Sequence, residues 1–302
     1  MTNGRIAYFN GEYVPWERAT VHLMSHSLGR GSAIFEVLSV HETDTGPAVF
    51  RLDEHLVRLA RTAKMLDMEL PLTIKDLQHA VIKTATENGF AQGFIKIIGY
   101  YPQVSFNILP PRKKIDIAVF TVDPGNTEMP PSRGATACIS RWRKLDPGTV
   151  PVEAKVAANY LNGMMARQDA ASRRYDYAIM LDVEGNLAEG GTESLFIVKK
   201  GALSTPALGN ILDSITRKSL LEVAHAHGIP TMEEPIPYRA LQEADEIFFS
   251  GTPVKVVPVK KIESRELTNV PGPVTTRITG LMEHVVAGRD RRFTKWLFPI
   301  RQ

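Results

Sequence analysis

Proline and glycine interrupt the chain between residues 123 and 134, and this break constrains the fold more than any other feature of the sequence. The segment contains three prolines and two glycines, Pro124, Gly125, Pro130, Pro131 and Gly134. Such a composition breaks both helical and strand periodicity, and 302 residues are enough for two compact domains. We therefore predict a smaller N-terminal α+β domain (residues 1–122), a linker (123–134) and a larger C-terminal domain (135–302).

The composition and the charge argue against several classes of protein. Hydrophobic residues make up 43% of the chain and charged residues 23%, as in globular proteins. The net charge of +3, spread among acidic residues, gives no support for nucleic-acid binding. The single cysteine, Cys138, excludes an intramolecular disulfide and a multi-cysteine metal site, and we expect no metal. Without a secretory pattern or a bilayer-length apolar run, we expect a cytoplasmic protein that binds no membrane.

The N-terminal domain is predicted to begin with a hairpin. Asn10-Gly11 fits the positive backbone angles of a tight turn between two short strands. Asp53 is the expected N-cap of a helix whose apolar residues recur at helical spacing, as in Leu56, Leu59, Ala63 and Leu66. The predicted strands are 6–9, 13–15, 34–40, 48–52, 94–101 and 115–122, and a second helix is predicted at 74–88.

The C-terminal domain also mixes strands with helices. The predicted strands are 135–141, 177–182, 194–199, 246–249 and 254–259, and the predicted helices are 156–172, 215–227 and a final helix near the end of the chain. A long loop, residues 183–193, joins two of these strands. The whole chain is therefore expected to be α+β.

Two short patterns in this domain place a charged residue next to a helix start or an apolar strand. Glu153-Ala-Lys155-Val-Ala-Ala-Asn159-Tyr160 puts a lysine at the start of the 156–172 helix, followed by a tyrosine. A lysine at a helix start is usually a solvated surface residue. Further along, a glycine-rich loop ends in Glu193 and leads directly into the apolar strand that begins at Ser194. Lys155 and Glu193 are the first candidates for chemistry.

With their neighbours, these patterns resemble the signature of the class IV, fold-type IV aminotransferases that depend on pyridoxal phosphate (PLP). That family includes branched-chain and D-amino-acid aminotransferases and aminodeoxychorismate lyases. The segments that carry the resemblance are Tyr177-Ala-Ile-Met-Leu-Asp182, Leu187-Ala-Glu-Gly-Gly-Thr-Glu-Ser194, Ile211-Leu-Asp-Ser-Ile-Thr-Arg217, Val21-His-Leu-Met-Ser-His26 and Val49-Phe-Arg-Leu-Asp-Glu-His-Leu-Val-Arg58. They follow the family's order and cover nearly the whole chain. The resemblance implies a two-domain α+β fold with a β-barrel-like C-terminal domain.

The resemblance also implies roles around the cofactor. Lys155 matches the lysine that carries PLP as an imine and later moves a proton. Glu193 matches the acid beside the pyridine nitrogen, and Tyr160 the tyrosine that bonds the phenolic oxygen. The implied phosphate contacts are Arg58, Ile215, Thr216 at a helix start, and Thr252. His55 fits the motif but receives no catalytic role.

The substrate end departs from the branched-chain pattern. The implied substrate contacts are Phe35, Arg30, Lys96 and Pro253. After Phe35-Glu36, family members commonly read Gly-Ile-Arg, whereas this chain has Val37-Leu38-Ser39, closer to D-amino-acid or R-amine aminotransferases. Arg30 replaces a common tyrosine, and Lys96 replaces an arginine, which keeps the charge but loses the bidentate fork.

The most specific interpretation is transfer of an amino group from a branched-chain or related hydrophobic amino acid to 2-oxoglutarate. Three alternatives stay open: a D-amino-acid or R-selective amine aminotransferase, an aminodeoxychorismate lyase, and a non-catalytic binding protein that kept the fold. In this family a loop of a neighbouring subunit completes the active site. The resemblance therefore implies a homodimer or a higher homo-oligomer.

Overall fold

The computed structural model describes residues 4–123, 125, 131 and 133–300. It divides the chain into two compact units. Unit 1 comprises the described residues of Met1–Thr127, Ala154–Ala158 and His284–Gln302, and unit 2 comprises those of Glu128–Glu153 and Asn159–Glu283. Most of the predicted linker, residues 124, 126–130 and 132, lies outside the described residues.

Unit 1 contains a seven-stranded sheet in which all neighbouring strands are antiparallel. Its strands are β1 (Ile6–Phe9), β2 (Glu12–Pro15), β3 (Ile34–Thr43), β4 (Gly46–Phe50), β5 (Gly93–Tyr100), β6 (Asp116–Val122) and β15 (Leu297–Pro299). Their order is β15-β4-β3-β5-β6-β1-β2. The helices α1 (His26–Arg30), α2 (Leu52–Met65) and α3 (Ile74–Glu87) accompany the sheet.

Two local predictions in unit 1 have different outcomes. The hairpin is confirmed, because Asn10 and Gly11 both have positive φ angles, 54° and 100°, between β1 and β2. The N-cap prediction is wrong, because α2 begins at Leu52 after Arg51, which has a φ of 53°. The tight passage from β4 into α2 requires this left-handed residue. It is held by its N–H bond to the Trp296 carbonyl (2.7 Å) and by its guanidinium, 4.1 Å from the Trp296 ring.

The core of unit 1 lies between the sheet and helices α2 and α3. The predicted core residues Leu56, Leu59 and Ala63 are fully buried, and Leu66 packs at the edge of the cluster. On β3, the period of two places Ile34, Glu36 and Leu38 on the same buried face. A carboxylate thus lies among apolar side chains.

Unit 2 contains an eight-stranded mixed sheet. Its strands are β7 (Ala135–Ile139), β8 (Tyr177–Ile179), β9 (Ser194–Lys199), β10 (Ala202–Pro206), β11 (Thr231–Glu234), β12 (Glu246–Ser250), β13 (Val257–Ile262) and β14 (Arg265–Glu266). Their order is β11-β10-β9-β12-β13-β7-β8, with β14 beside β13. The remaining helices are α4 (Tyr160–Ser172), α5 (Ile215–Ala226), α6 (Ala240–Glu243) and α7 (Pro273–Val286). The α+β class is confirmed.

The two units differ from the predicted domains in two segments. Residues 154–158 and 284–302 belong to unit 1, whereas the sequence placed both in the C-terminal domain. Backbone bonds explain the difference: Ala157 N–H donates to the Ala33 carbonyl (2.8 Å), and β15 pairs with β4. Because residues 157–159 form a 3₁₀ turn, the helix predicted from residue 156 begins at Tyr160. Within the described part of the chain, no helix is both long and apolar enough to cross a bilayer.

Candidate active site

Lys155 lies on a short segment that unit 1 holds against β3 and α2. Its N–H donates to the Thr62 hydroxyl (3.2 Å), and its carbonyl accepts the Phe35 N–H (3.1 Å). The residue is only 8% exposed, and its Nζ lies 4.6 Å from the centre of the Phe35 ring. Lysine is rarely buried. A fixed backbone and a buried amine are therefore the first features of a reactive site.

A buried ion pair between Glu36 and Arg58 lies on the next position of β3. Arg58 Nε donates to Glu36 Oε1 (2.8 Å) and Arg58 Nη2 donates to Glu36 Oε2 (2.7 Å). His55 Nδ1 is 2.7 Å from Glu36 Oε2. The Glu36 residue is completely buried. Since a guanidinium has five N–H donors in a fixed plane, this two-point contact sets the orientation of Arg58.

The charges in this cluster determine the protonation of Glu36 and His55. Burial alone would raise the pKa of Glu36, but the charge of Arg58 and the hydrogen bonds from Arg58 and His55 lower that pKa to about 2. Burial lowers the pKa of His55. The hydrogen bond and the charge of Glu36 raise this pKa, whereas the nearby Arg58 and Lys155 cations lower it further. An ionised carboxylate only accepts hydrogen bonds, so His55 carries a proton on Nδ1 and donates it to Glu36.

The predicted substrate contacts of unit 1 lie in two places. Phe35 is half-buried, and the Lys96 ammonium on β5 lies 5.4 Å from the centre of its ring. Lys155 and Lys96 therefore share one aromatic neighbour. Arg30 is exposed at the end of α1, where its Nη2 donates to the Phe106 carbonyl (2.8 Å). This bond ties Arg30 to the loop that follows β5.

In unit 2, the glycine-rich loop packs directly on α4. A Cβ added to Gly163, in the first turns of α4, would lie 1.9 Å from the Gly191 carbonyl oxygen. At the end of the loop, Thr192 donates to the Glu193 carboxylate through its N–H (3.0 Å) and its hydroxyl (2.8 Å). Tyr160 is half-buried at the start of α4. The approach of loop and helix therefore fixes the backbone from which Glu193 projects.

Gly163→Ala should destabilise unit 2 because the loop would have to move away from α4. Overpacking of this kind costs about 1–3 kcal/mol, and urea unfolding should show that loss. Gly280→Ala is the matched control: Gly280 is also in a helix, α7, and its added Cβ would meet no atom within 4 Å. That control should be neutral or more stable, because alanine favours helices. Equal stability of both variants would contradict the close packing of loop and helix.

The predicted phosphate contacts of unit 2 lie at a helix start and in a turn. Ile215 and Thr216 are the first residues of α5, after the N-cap Ser214, whose hydroxyl accepts the Arg217 N–H. Amides in the first turn of a helix have no intrahelical acceptor and favour anions. Thr252 and Pro253 lie in the turn after β12, which a bond from Gly251 N–H to the Val254 carbonyl (3.1 Å) closes.

Three further polar groups near the predicted site residues of unit 2 were not predicted from the sequence. The Ser250 hydroxyl, at the end of β12, is fully buried and has no hydrogen-bond partner in the described structure. Lys255 donates to the Thr252 carbonyl (2.9 Å), and burial lowers the pKa of Lys255 to about 7. Arg167 of α4 lies beside Glu193, 3.6 Å from nitrogen to oxygen.

Glu36 was not predicted as a site residue, although the sequence carries a signal for it. It is a charged residue on the apolar face of a strand with a period of two. Across the described ranges, no group of three or more His, Cys, Asp or Glu residues could hold a metal ion.

The predicted site residues form two groups, one in each unit. Unit 1 holds Lys155, Phe35, Arg58, Lys96 and Arg30, and unit 2 holds Tyr160, Glu193, Ile215, Thr216, Thr252 and Pro253. Chemically, the first group offers a buried amine and an oriented guanidinium. The second offers a carboxylate, helix-terminal amides and hydroxyl groups.

Comparison with known proteins agrees with this chemistry. Residues 33–262 match the family model described as amino-transferase class IV. A branched-chain-amino-acid aminotransferase of Escherichia coli (strain K12) is 32% identical over 300 residues, which cover 98% of this chain and 97% of that protein.

Two solved structures are similar over nearly their full length. The branched-chain aminotransferase of Thermoproteus uzoniensis with norvaline has a TM-score of 0.94 at 33% identity, covering 98% of this chain and 99% of that one. The T.th. branched-chain amino acid aminotransferase complexed with N-(5'-phosphopyridoxyl)-L-glutamate has a TM-score of 0.94 at 30% identity, covering all of both chains. Because the family model spans well over half of its length, this chain belongs to the class IV aminotransferases.

Proposed function

We propose that this chain is a PLP-dependent aminotransferase that moves the amino group of a branched-chain or related hydrophobic amino acid to 2-oxoglutarate in the cytoplasm. The names of its relatives support the amino donor. The ligand of the T.th. enzyme complex joins a phosphopyridoxyl group to glutamate, the amino acid that forms when 2-oxoglutarate accepts the amino group. The observation that carries the proposal is the buried amine of Lys155 on a backbone fixed by Thr62 and Phe35.

The residues of unit 2 fit the cofactor. A buried hydroxyl usually has a hydrogen-bond partner, so the Ser250 hydroxyl, which has none in the described structure, favours a polar ligand beside the 251–253 turn. The amides at the start of α5 and the Thr252 hydroxyl are suited to a phosphate group. Glu193 supplies a carboxylate for a ring nitrogen. Tyr160 supplies a hydroxyl for the phenolic oxygen.

When bound, the cofactor withdraws electrons from the substrate α-carbon. We assign to Lys155 Nζ both the covalent attachment of the cofactor and, once it is released, the transfer of the α-proton. Glu193 would accept a hydrogen bond from the ring nitrogen, and its negative charge would favour the protonated form of that nitrogen. Arg58, oriented by Glu36, contributes positive charge to the phosphate.

The proposed substrate contacts include the residues that depart from the branched-chain pattern. The Lys96 ammonium beside Phe35 provides a cation for a substrate carboxylate, and the Phe35 ring provides an apolar surface. Pro253 follows the proposed phosphate contact Thr252 and has no N–H to donate. Arg30, bonded to the Phe106 carbonyl, can place a second cation near a dicarboxylic acceptor.

An amino-donor panel tests this function. The purified enzyme would be incubated with L-leucine, D-alanine or R-phenylethylamine, and loss of the near-visible absorbance of the attached cofactor would be recorded before and after addition of 2-oxoglutarate. L-leucine should bleach the absorbance and 2-oxoglutarate should restore it. Bleaching by D-alanine or R-phenylethylamine alone would favour the D-amino-acid or R-amine alternative. Pyruvate release from aminodeoxychorismate would identify a lyase instead.

We also infer that the chain associates with a second copy of itself. Unit 1 has an apolar surface made of eight side chains that are between 42% and 78% exposed, Val21, Leu23, Met24, Leu28, Val104, Phe106, Ile108 and Leu109. His26 joins its two segments, since its N–H donates to the Gln103 carbonyl (2.8 Å) and its Nε2 lies 3.0 Å from the Ile108 carbonyl. A contiguous exposed apolar surface of this kind marks an interaction site.

Phe106→Asp should weaken that association. A charge within a buried apolar contact removes an interaction of about 2 kcal/mol or more, which corresponds to a dissociation constant raised roughly 30-fold. Sedimentation equilibrium over a range of concentrations measures the change. Val57→Asp, at an exposed apolar residue of α2 outside the apolar surface, should have no effect. A monomeric wild type, or a Phe106→Asp protein as tightly associated as wild type, would contradict this inference.

A further inference from the structure

We propose that Arg167 is a positioning residue that holds both the glycine-rich loop and the carboxylate of Glu193. This inference rests on the proposed function, in which Glu193 bonds the ring nitrogen of the cofactor. Arg167 lies outside the segments that carry the family resemblance. It lies in the interior of α4, the helix on which the glycine-rich loop packs.

The first contact of Arg167 is with the carboxylate itself. Its Nη1 lies 3.6 Å from Glu193 Oε1, and the two side chains are 30% and 16% exposed. This contact is an ion pair, whereas the hydrogen bonds to the carboxylate come from the N–H and the hydroxyl of the adjacent residue, Thr192. Thr192 belongs to the same loop as Glu193, so its bonds orient the carboxylate but do not connect that side chain directly to α4. Arg167 connects it to a helix.

The second contact is with the glycine-rich loop. A Cβ on Gly191 would lie 2.6 Å from Arg167 Cγ and 3.1 Å from Arg167 Cδ, so the aliphatic part of the arginine packs against the bare backbone. Gly163, four residues earlier and on the same face of α4, meets the carbonyl of the same glycine. One face of α4 therefore shapes the loop from Gly190 to Glu193.

The third contact holds the guanidinium in place. Its central carbon lies 4.5 Å from the centre of the Tyr177 ring on β8. A planar guanidinium stacks on an aromatic ring in a way that an ammonium does not. Arg167 is therefore fixed to a strand at one side and to the loop at the other. This geometry is suited to holding the Glu193 carboxylate at a constant position.

Two substitutions separate charge from packing. Arg167→Met keeps the aliphatic part and removes the charge, and Arg167→Lys keeps a charge but loses the planar group. We expect Arg167→Met to retain covalently attached cofactor, because Lys155 is unchanged. Its kcat should fall roughly 10²-fold, the effect of displacing a group by about 1 Å, while the KM for the amino donor changes less than about threefold. Arg167→Lys should recover part of kcat.

Arg141→Met serves as the control for loss of an arginine from unit 2, because Arg141 is 73% exposed and pairs with Asp169 at 3.6 Å. A kcat of Arg167→Met within about threefold of wild type, or an equal loss in Arg141→Met, would overturn the proposal. If Arg167→Met does not fold, the test uses Arg167→Lys: a kcat within about threefold of wild type, or no lower than that of Arg141→Met, would then overturn the proposal.

A crystal structure of Arg167→Met gives a readout that does not depend on activity. We expect the Glu193 carboxylate to be displaced or to occupy two rotamers, and an unmoved carboxylate would overturn the proposal. Failure of the proposed function would look different. The wild-type protein itself would then lack the cofactor absorbance and the turnover, whereas the variant structure would still report on the position of Glu193.

Discussion

Lys155→Ala should lose the near-visible absorbance of the attached cofactor and at least about 10⁴-fold of the transamination rate, the upper range for loss of a general base. The variant removes the amine that both attaches the cofactor and carries the α-proton. Its fold should survive, because the segment is held by the backbone bonds of Lys155 to Thr62 and Phe35, which alanine keeps. Absorbance spectra and single-turnover rates measure both effects.

Lys113→Ala is the matched control, because it also removes an ammonium from unit 1, at a side chain that is 59% exposed. It should keep the absorbance and the rate of wild type. A small external amine, such as methylamine, should restore part of the rate of Lys155→Ala by taking over the proton transfer. Normal absorbance or normal turnover of Lys155→Ala would remove the basis of the proposed function.

Glu36→Gln should cost about 3–5 kcal/mol of folding free energy, because it leaves the buried Arg58 cation without a counter-charge. Urea unfolding without added cofactor measures this loss. Replacing both partners, as Glu36→Leu with Arg58→Met, should recover most of the stability, since two apolar side chains leave no buried charge. A Glu36→Gln protein as stable as wild type would contradict the ion pair.

The same cluster predicts how stability depends on pH. The pKa of Glu36 is lowered from 4.5 to about 2, so its contribution is complete above its ordinary pKa and is lost as the pH falls towards 2. The pKa of His55 is also lowered, so the unfolded chain takes up that proton first and acid again favours unfolding. Between pH 4.5 and pH 2, the free energy of unfolding should therefore decrease less for Glu36→Gln than for the wild type.

The sequence predicted the fold class because its periodicities are strong, and the family because several motifs occur together. It failed where the answer depends on distant residues. The start of α2 is decided by Trp296, which binds the Arg51 backbone and lies far away in the chain. Asp53 is a good N-cap by its chemistry, but it follows the residue at which the helix has already begun.

The candidate site shows the same division. Lys155 and Glu193 lie in recognisable motifs. The ion pair between Glu36 and Arg58, in contrast, joins residues that are 22 positions apart in the chain. Strand β11 was not predicted because its sequence, Thr-Met-Glu-Glu, lacks apolar alternation. It forms by pairing in parallel with β10. Pairing and packing partners of this kind are decided by the tertiary structure, and a single sequence does not reveal them.

Three of the four outermost strands of the two sheets, β2, β15 and β11, carry residues that oppose edge-to-edge pairing with another chain. In unit 1, β2 ends in Pro15 and β15 ends in Pro299, and in unit 2, β11 carries Glu233 and Glu234 between two prolines. Proline lacks an N–H for a foreign backbone, and carboxylates repel an approaching edge of the same kind. Copies of this chain would therefore meet through side chains, and crowded or heated solutions should be slow to form cross-β fibrils.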